Sequence, residues 1–258
     1  MKIGLFIKYE VVDSSFEEKV SNVIRSFGHE IDNLNPEYVF VFGGDGTFLK
    51  SVQKYIEHIS SIKFVCFNKG KVGFFSSFVE EDLKDVLSKL NSLELKVNSY
   101  RLLESKIGEE TLYSVNETRI ENPFHTLLAE VYIDGIYLET FRGNGLVVST
   151  SLGSTAYNKS LSGACVSKEI EAIQLNEIAP INNCLYTSLK NPLVLPSNSH
   201  IVFKGDFSNI VIGYDHLVKS DFKGKEIEFF LSDKVINVVN KSDDNYIKKL
   251  KETFIDRR

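Results

Sequence analysis

Val39-Phe40-Val41-Phe42-Gly43-Gly44-Asp45-Gly46-Thr47-Phe48-Leu49 decides the reading of this chain. Its first four residues alternate β-branched with aromatic side chains, which predicts a buried strand. Three glycines then enclose one acid. Phe48, Leu49, Val52, Tyr55, Ile56 and Ile59 follow at helical spacing and predict an amphipathic helix. A strand, a glycine turn and a helix in that order present bare backbone amides and a helix N-terminus, both suited to phosphate. An acid there is costly beside an anion unless it binds a metal, takes a proton or fixes a hydroxyl.

The flanking sequence repeats the alternation. Ile3, Leu5 and Ile7 mark a short strand. Phe16, Val20, Val23, Ile24 and Phe27 form a helical stripe that Gly28 ends, and Ser14 with Glu17 makes a capping box at its start. Residues 62–67 read as another strand. The glycine-containing loop Asn68-Lys69-Gly70-Lys71-Val72-Gly73-Phe74-Phe75 leaves its C-terminal end, where open α/β sheets bind ligands. Leu83, Val86, Leu87 and Leu90 return to helical spacing. This alternation predicts a Rossmann-like α/β domain over residues 1–95, with a mostly parallel sheet.

From about residue 96 the period changes to two. Strands are predicted at 95–103, 111–120, 127–133, 137–142, 145–149, 170–175, 193–195, 200–203, 210–213, 226–231 and 234–239. Asp134-Gly135 is a hairpin turn signal between two of them. So many short strands predict an antiparallel, β-sandwich-like domain over residues 96–240. A last helix, 244–254, carries Tyr246, Ile247, Leu250 and Phe254 on one face. Residues 241–258 are therefore expected to pack back on the N-terminal domain.

Composition narrows the function. Thirty basic against 35 acidic residues leave a formal charge of −5, and no arginine-rich stripe appears, which argues against nucleic acid. A phosphorylated substrate must then be met by local donors. No apolar run reaches membrane-spanning length. The three cysteines, Cys66, Cys165 and Cys184, lack CxxC spacing and are expected to be small buried thiols in a reducing cytoplasm. The five histidines show no zinc-ligand spacing, so no protein-held metal is expected.

Three further stretches break the strand pattern with polar residues. Asn116-Glu117 offers amide and carboxylate oxygens that can accept from a ribose diol. Arg142-Gly143-Asn144-Gly145 is the second. The third, 149–160, combines hydroxyls and glycine with one aromatic, Tyr157, able to stack on a base. The Walker loop is absent. Gly43-Gly44-Asp45-Gly46 also lacks G-x-G-x-x-G spacing, so nucleotide binding follows another plan.

Together these residues resemble the bacterial NAD kinases. Gly43-Gly44-Asp45-Gly46-Thr47 matches that family's GGDGT motif, which diacylglycerol and sphingosine kinases share. Asn116-Glu117 resembles its NE pair. Gly143 to Thr150 followed by Gly153-Ser154-Thr155-Ala156-Tyr157 resembles its long glycine/threonine motif. Glu177-Ile178-Ala179-Pro180 and Pro192-Leu193-Val194-Leu195-Pro196 fall where the family has similar segments. The resemblance implies NAD held between the two domains and transfer of the γ-phosphoryl of ATP, or of polyphosphate, to the 2′-hydroxyl of its adenosine ribose, giving NADP. It implies Mg²⁺ or another divalent cation carried with ATP. It also implies a cytoplasmic homodimer or homotetramer whose dinucleotide site a neighbouring subunit helps complete.

Roles carry over residue by residue. Asp45 resembles the catalytic acid. Gly43, Gly44 and Gly46 resemble the phosphate-approaching glycines, with Thr47 capping the helix. Phe67 and Tyr157 are expected to enclose the adenine. Asn116 and Glu117 resemble the polar clamp, with Thr155, Ala156 and Ser160 lining its other side. Asp215 and His216 resemble a late turn near ribose or phosphate, and Arg142 a basic residue reaching across a subunit interface. Three positions depart from the pattern: Asn144 stands where Asp is usual, Ser151-Leu152 replaces Pro followed by a hydroxyl residue, and His216 stands where Gly is common. The competing readings are a lipid kinase of the wider GGDGT group and a non-catalytic NAD(P)-binding sensor. The first predicts a hydrophobic acceptor slot and membrane affinity, and the Asn116-Glu117 and Gly153–Tyr157 motifs count against it, as does the lack of an evident amphipathic membrane helix. The second is opposed by the intact Asp45.

Overall fold

The computed structural model describes residues 1–8, 14–68, 73–92, 95–242 and 244–256. They divide into two compact units. One is Met1–Tyr100 with Lys234–Arg258, and the other is Arg101–Asp233. The chain passes between them inside two long strands, Lys96–Ile107 and Glu226–Asn240.

The first unit is built on a parallel sheet. Tyr38–Phe42 lies between Lys2–Ile7 and Lys63–Asn68, and residues 237–239 pair with 63–65 in the same direction. All five side chains of Tyr38–Phe42 are buried, as a central strand covered on both faces requires. Phe40, Phe42, Val65 and Phe67 form one core with Val20 and Ile24 of helix Ser14–Ser26 and Val86, Leu87 and Leu90 of helix Leu83–Ser92. Phe48, on helix Asp45–Lys54, packs edge-on against Phe64 at 5.6 Å. Gly28 ends the first helix at φ +80°, a conformation that L side chains rarely adopt. The Ser14 side chain of the expected capping box lies outside the described residues.

The second unit is antiparallel. Ile136–Gly143, Leu127–Ile133, Ile201–Lys204 and residues 226–229 make one sheet in that order. The other runs Leu193–Pro196, Ala172–Ile178, Gly145–Thr150, Glu117–Glu121, Val211–Tyr214, Leu217–Lys219. Val131, Phe141, Phe203 and Phe229 from the first meet Ile120, Leu146, Val148 and Ile173 from the second in one core. The fold class is thus as expected: an α/β unit followed by an antiparallel β unit. Asp134 and Gly135, both at positive φ, close the hairpin as their sequence predicts.

Several local expectations differ. The single strand at 111–120 is two, Glu110–Ser114 and Glu117–Glu121, with residues 115–116 held between them by a side chain described below. The strands at 226–231 and 234–239 are one. In the last helix Ile247 points to solvent, 68% exposed, so it does not share the buried face. Cys66 is buried but Cys165 and Cys184 are exposed, against the expectation of three buried thiols.

Candidate functional site

In the first unit the acid of the glycine turn is held by backbone amides that follow the neighbouring strand. Asp45 opens helix Asp45–Lys54, where a carboxylate is favoured by the helix dipole. Its Oδ2 accepts the Phe74 N–H at 3.1 Å and its Oδ1 the Phe75 N–H at 3.2 Å. Each oxygen keeps a further lone pair, so the carboxylate is oriented and can still accept from a hydroxyl. Gly73 lets this loop come close: a Cβ there would lie 2.3 Å from Asp45 Oδ1. Gly43 has the same use, since a Cβ on it would meet Thr47 Oγ1 at 2.4 Å. Gly44 and Gly46 face open space. They help line a cleft of about 620 Å³, together with Asn33, Lys8, Lys50 and Lys54. Thr47 is buried, and the cap position is Gly44, which has no side chain to donate or accept, so Thr47 is not the cap.

Phe67 must be corrected. It is 1% exposed, with its ring stacked on Phe42 at 4.8 Å and near Phe40 and Phe78. That ring belongs to the core and does not face a ligand. Phe74, whose amide holds Asp45, is the half-buried aromatic of this loop. Lys69, Gly70, Lys71 and Val72 lie outside the described residues.

In the second unit the structure gathers Asn116, Glu117, residues 153–157 and Asp215. Asp215, expected beside ribose or phosphate, turns its carboxylate inward. Oδ2 accepts the Val115 N–H at 2.9 Å and Oδ1 the Asn116 N–H at 2.8 Å, while its own N–H donates to Glu117 O at 3.1 Å. This brace holds residues 115–116 between the two strands and fixes the backbone that carries Asn116 and leads into Glu117. On the other side the Thr150 hydroxyl donates to Val115 O at 2.6 Å, and the Thr150 N–H to Asn116 O at 2.9 Å. The Gly153 N–H donates back to Thr150 Oγ1 at 3.1 Å.

Asn116 and Glu117 are buried, yet Asn116 Oδ1 and Glu117 Oε2 have no hydrogen-bond partner among the described residues. Burial first, and then the Asp215 charge, push the Glu117 carboxyl up to about 8, against the opposing pull of Arg119 and the Tyr157 backbone N–H. Its folded-state pKa therefore exceeds the unfolded value, and between the two the folded chain binds more protons. The stability that Glu117 contributes therefore falls as pH rises from about 4.5 to about 8. Glu117→Gln is expected to leave the melting temperature unchanged at pH 4.5 and raise it at pH 9. Thermal unfolding of both proteins at the two pH values checks this, and an equal difference at both would refute it.

Tyr157 is held in place too. The Arg119 guanidinium lies 4.8 Å over its ring, Arg119 Nε donates to Glu121 Oε2 at 2.7 Å, and the Tyr157 hydroxyl reaches Glu121 Oε1 at 3.5 Å. Thr155 and Ala156 are half-buried beside it and Ser160 is exposed. Asn144 precedes Gly145, which pairs with Glu121, and its carbonyl accepts the Asn122 N–H at 2.8 Å. Arg142 stacks over Tyr186 at 4.3 Å, and the Asn144 N–H donates to Ile178 O at 3.0 Å. His216 is exposed next to Asp215. Among the described residues no group of three or more His, Cys, Asp and Glu gathers to hold a metal ion. No described helix is long and apolar enough to cross a membrane.

Residues 115–240 match the model of the ATP-NAD kinase C-terminal domain. The NAD kinase of Leuconostoc citreum is 34% identical over 245 residues, covering 92% of this chain and 91% of that protein. The chain belongs to the NAD kinase family. NAD kinase 1 of Bacillus cereus, another relative, is 32% identical over 262 residues and 99% of both chains. The fold of the family is matched by a yeast NADH kinase solved with NADH, at TM-score 0.81, 22% identity and coverage of 100% of this chain and 89% of that one. An NAD kinase from Archaeoglobus fulgidus solved with ATP also gives TM-score 0.81, at 20% identity over 98% of this chain and 99% of that one.

Proposed function

We propose that this chain transfers the γ-phosphoryl group of ATP to the 2′-hydroxyl of the adenosine ribose of NAD, forming NADP and ADP. The observation that carries the chemistry is the Asp45 carboxylate, fixed by two amides and still able to accept. In this reading the ribose hydroxyl attacks the γ-phosphorus while its proton passes to an Asp45 oxygen. The new O–P bond forms as the bond to the bridging β–γ oxygen breaks, and the proton later leaves to water. A carboxylate is a weak base toward such a hydroxyl, so in-line positioning supplies most of the rate.

The dinucleotide is assigned to Asn116, Glu117, Thr155, Ala156, Tyr157 and Ser160. Asn116 Oδ1 and Glu117 Oε2, buried without a partner among the described residues, are costly alone, and ribose hydroxyls can satisfy them. The Tyr157 ring, already braced, is the stacking surface. The cleft beside Gly44 and Gly46, with Lys8, Lys50 and Lys54, is assigned to the donor's phosphates. Arg142 and Asn144 are assigned to a neighbouring subunit's dinucleotide, in a cytoplasmic homo-oligomer. Exposed Ile181 and Leu185, close in sequence to the Arg142-bound Tyr186, support that reading.

The divalent cation is assigned to the ATP it arrives with. When bound it neutralises phosphate charge. Chelation is therefore expected to abolish turnover while leaving NAD affinity and melting temperature unchanged. A chelator-induced fall in melting temperature would instead point to a cation held by the protein. The direct test is purified protein with ATP, Mg²⁺ and NAD, followed for NADP. Tight NAD binding without turnover would favour the sensor reading, and phosphorylation of a lipid acceptor the lipid-kinase reading.

A further inference from the structure

The loop that holds Asp45 is itself held from the C-terminal helix. Lys249 lies on helix Tyr246–Leu250 and is 5% exposed. Its ammonium meets Asp244 Oδ1 at 2.6 Å, Phe74 O at 3.1 Å and Ser77 Oγ at 3.3 Å. Ser77 in turn donates to Asn240 Oδ1 at 2.8 Å and Asp244 Oδ1 at 3.1 Å. The Phe74 ring rests near Phe254 and Tyr246, at 5.7 and 6.4 Å.

Phe74 O and the Phe75 N–H belong to the same peptide group. Lys249 donates to its carbonyl, and its N–H donates to Asp45 Oδ1. A cation on a carbonyl draws electron density from the amide and strengthens the N–H as a donor, as hydrogen bonds in series do. The ammonium also fixes the plane of that peptide, and with it the direction in which Asp45 is held. A buried lysine is expensive and needs full pairing. Asp244 satisfies the charge, but charge pairing alone would not require the second contact to Phe74.

We propose that Lys249 is a positioning residue for Asp45, acting through the peptide between Phe74 and Phe75. The C-terminal helix thereby sets the geometry of the transfer step without touching substrate. The inference rests on the proposed role of Asp45, so its test includes a readout that needs no turnover.

Lys249→Met alone would strand the Asp244 charge and risk misfolding. The informative protein is the full chain carrying Lys249→Met and Asp244→Asn together, in which both charges are gone. It is expected to fold, to keep the KM for NAD within about threefold, and to lose kcat about 10-fold or more, less than the about 10²- to 10⁴-fold assigned to the acid itself. The Phe75 amide is expected to exchange with deuterium at least about 10-fold faster than in the wild type, since its carbonyl neighbour is no longer pinned. Wild-type kcat in the double variant, or unchanged Phe75 exchange, would overturn the proposal and leave Lys249 a mere counter-ion to Asp244. If the wild type itself makes no NADP, the proposed reaction fails while the exchange rate still decides the latch.

Discussion

Replacing Asp45 with asparagine is expected to lower kcat for NADP formation by about 10²- to 10⁴-fold, the range for loss of a positioned proton acceptor. The substitution keeps size and removes the charge. It also disturbs the cradle in a definite way. Wild-type Oδ1 and Oδ2 each face a backbone N–H. An amide has one oxygen and one NH₂, so one of the Phe74 and Phe75 N–H groups must then face a donor. Whichever way the side chain turns, an amide is left unsatisfied or the loop moves. The helix starting at Asp45 also loses a favourable first-turn charge, worth about 0.3–1 kcal/mol. Fold and NAD affinity should therefore survive while the chemical step fails. Steady-state kinetics with NAD titrated at saturating ATP separate these effects. A kcat loss below about 10-fold would remove Asp45 from the transfer step.

The two halves of this cradle were not equally legible in the sequence. Tyr38–Phe42 and the helix after it announce themselves through alternation, glycine content and periodicity, because those features report local conformation and burial. The partner of Asp45 does not. It is a pair of backbone amides 29 and 30 residues away, and an amide carries no residue signature. Gly73 was the available clue, since its missing Cβ is what admits the carboxylate. The same limit explains Phe67 and Phe74. Both are aromatic and both flank the same loop, and periodicity cannot say which ring faces the core. Lys249 had a fainter signal, a lysine three residues after Tyr246 on a buried helical face, where a charge needs a reason.

In the β unit the interruption at Asn116-Glu117 was visible, but its cause was not. Asp215 pins the interruption from 99 and 100 residues away, with φ +47° at its own backbone. An aspartate in a turn reads as a candidate ligand contact. Here its oxygens receive backbone amides, so its contribution to binding passes through the two residues it braces. The chain thus uses one device twice. In each unit a carboxylate grips consecutive backbone N–H groups: Asp45 those of Phe74 and Phe75, Asp215 those of Val115 and Asn116. Only the surroundings separate the two. The first carboxylate belongs to a glycine turn beside a cleft, and the second ties one loop to another.

That brace makes Gly153 the most tightly hemmed glycine of the β unit. A Cβ there would sit 2.0 Å from Asn116 O, 2.4 Å from its carbonyl carbon and 2.7 Å from its Cα. All three atoms are backbone, so no rotamer change relieves the clash. The Asn116 peptides cannot retreat either: the N–H is held by Asp215 at 2.8 Å and the carbonyl by the Thr150 N–H at 2.9 Å. Gly153→Ala must therefore either push the turn 153–155 outward, taking Tyr157 with it, or break the brace. Overpacking of this kind costs about 1–3 kcal/mol and occasionally more. The expected fall in melting temperature is about 2–4 °C per kcal/mol for a chain of this size. Displacing Asn116 and Glu117 should also raise the KM for NAD at least about 10-fold, the equivalent of 1.4 kcal/mol. Gly46→Ala is the matched control. Nothing lies within 4 Å of a Cβ at Gly46, so the fold should be undisturbed and any loss of activity must come from the approach of substrate. Thermal unfolding and NAD titration of both variants decide the matter. If Gly153→Ala melts with the wild type and binds NAD normally, the brace has slack, and the packing of this turn does not set the dinucleotide site.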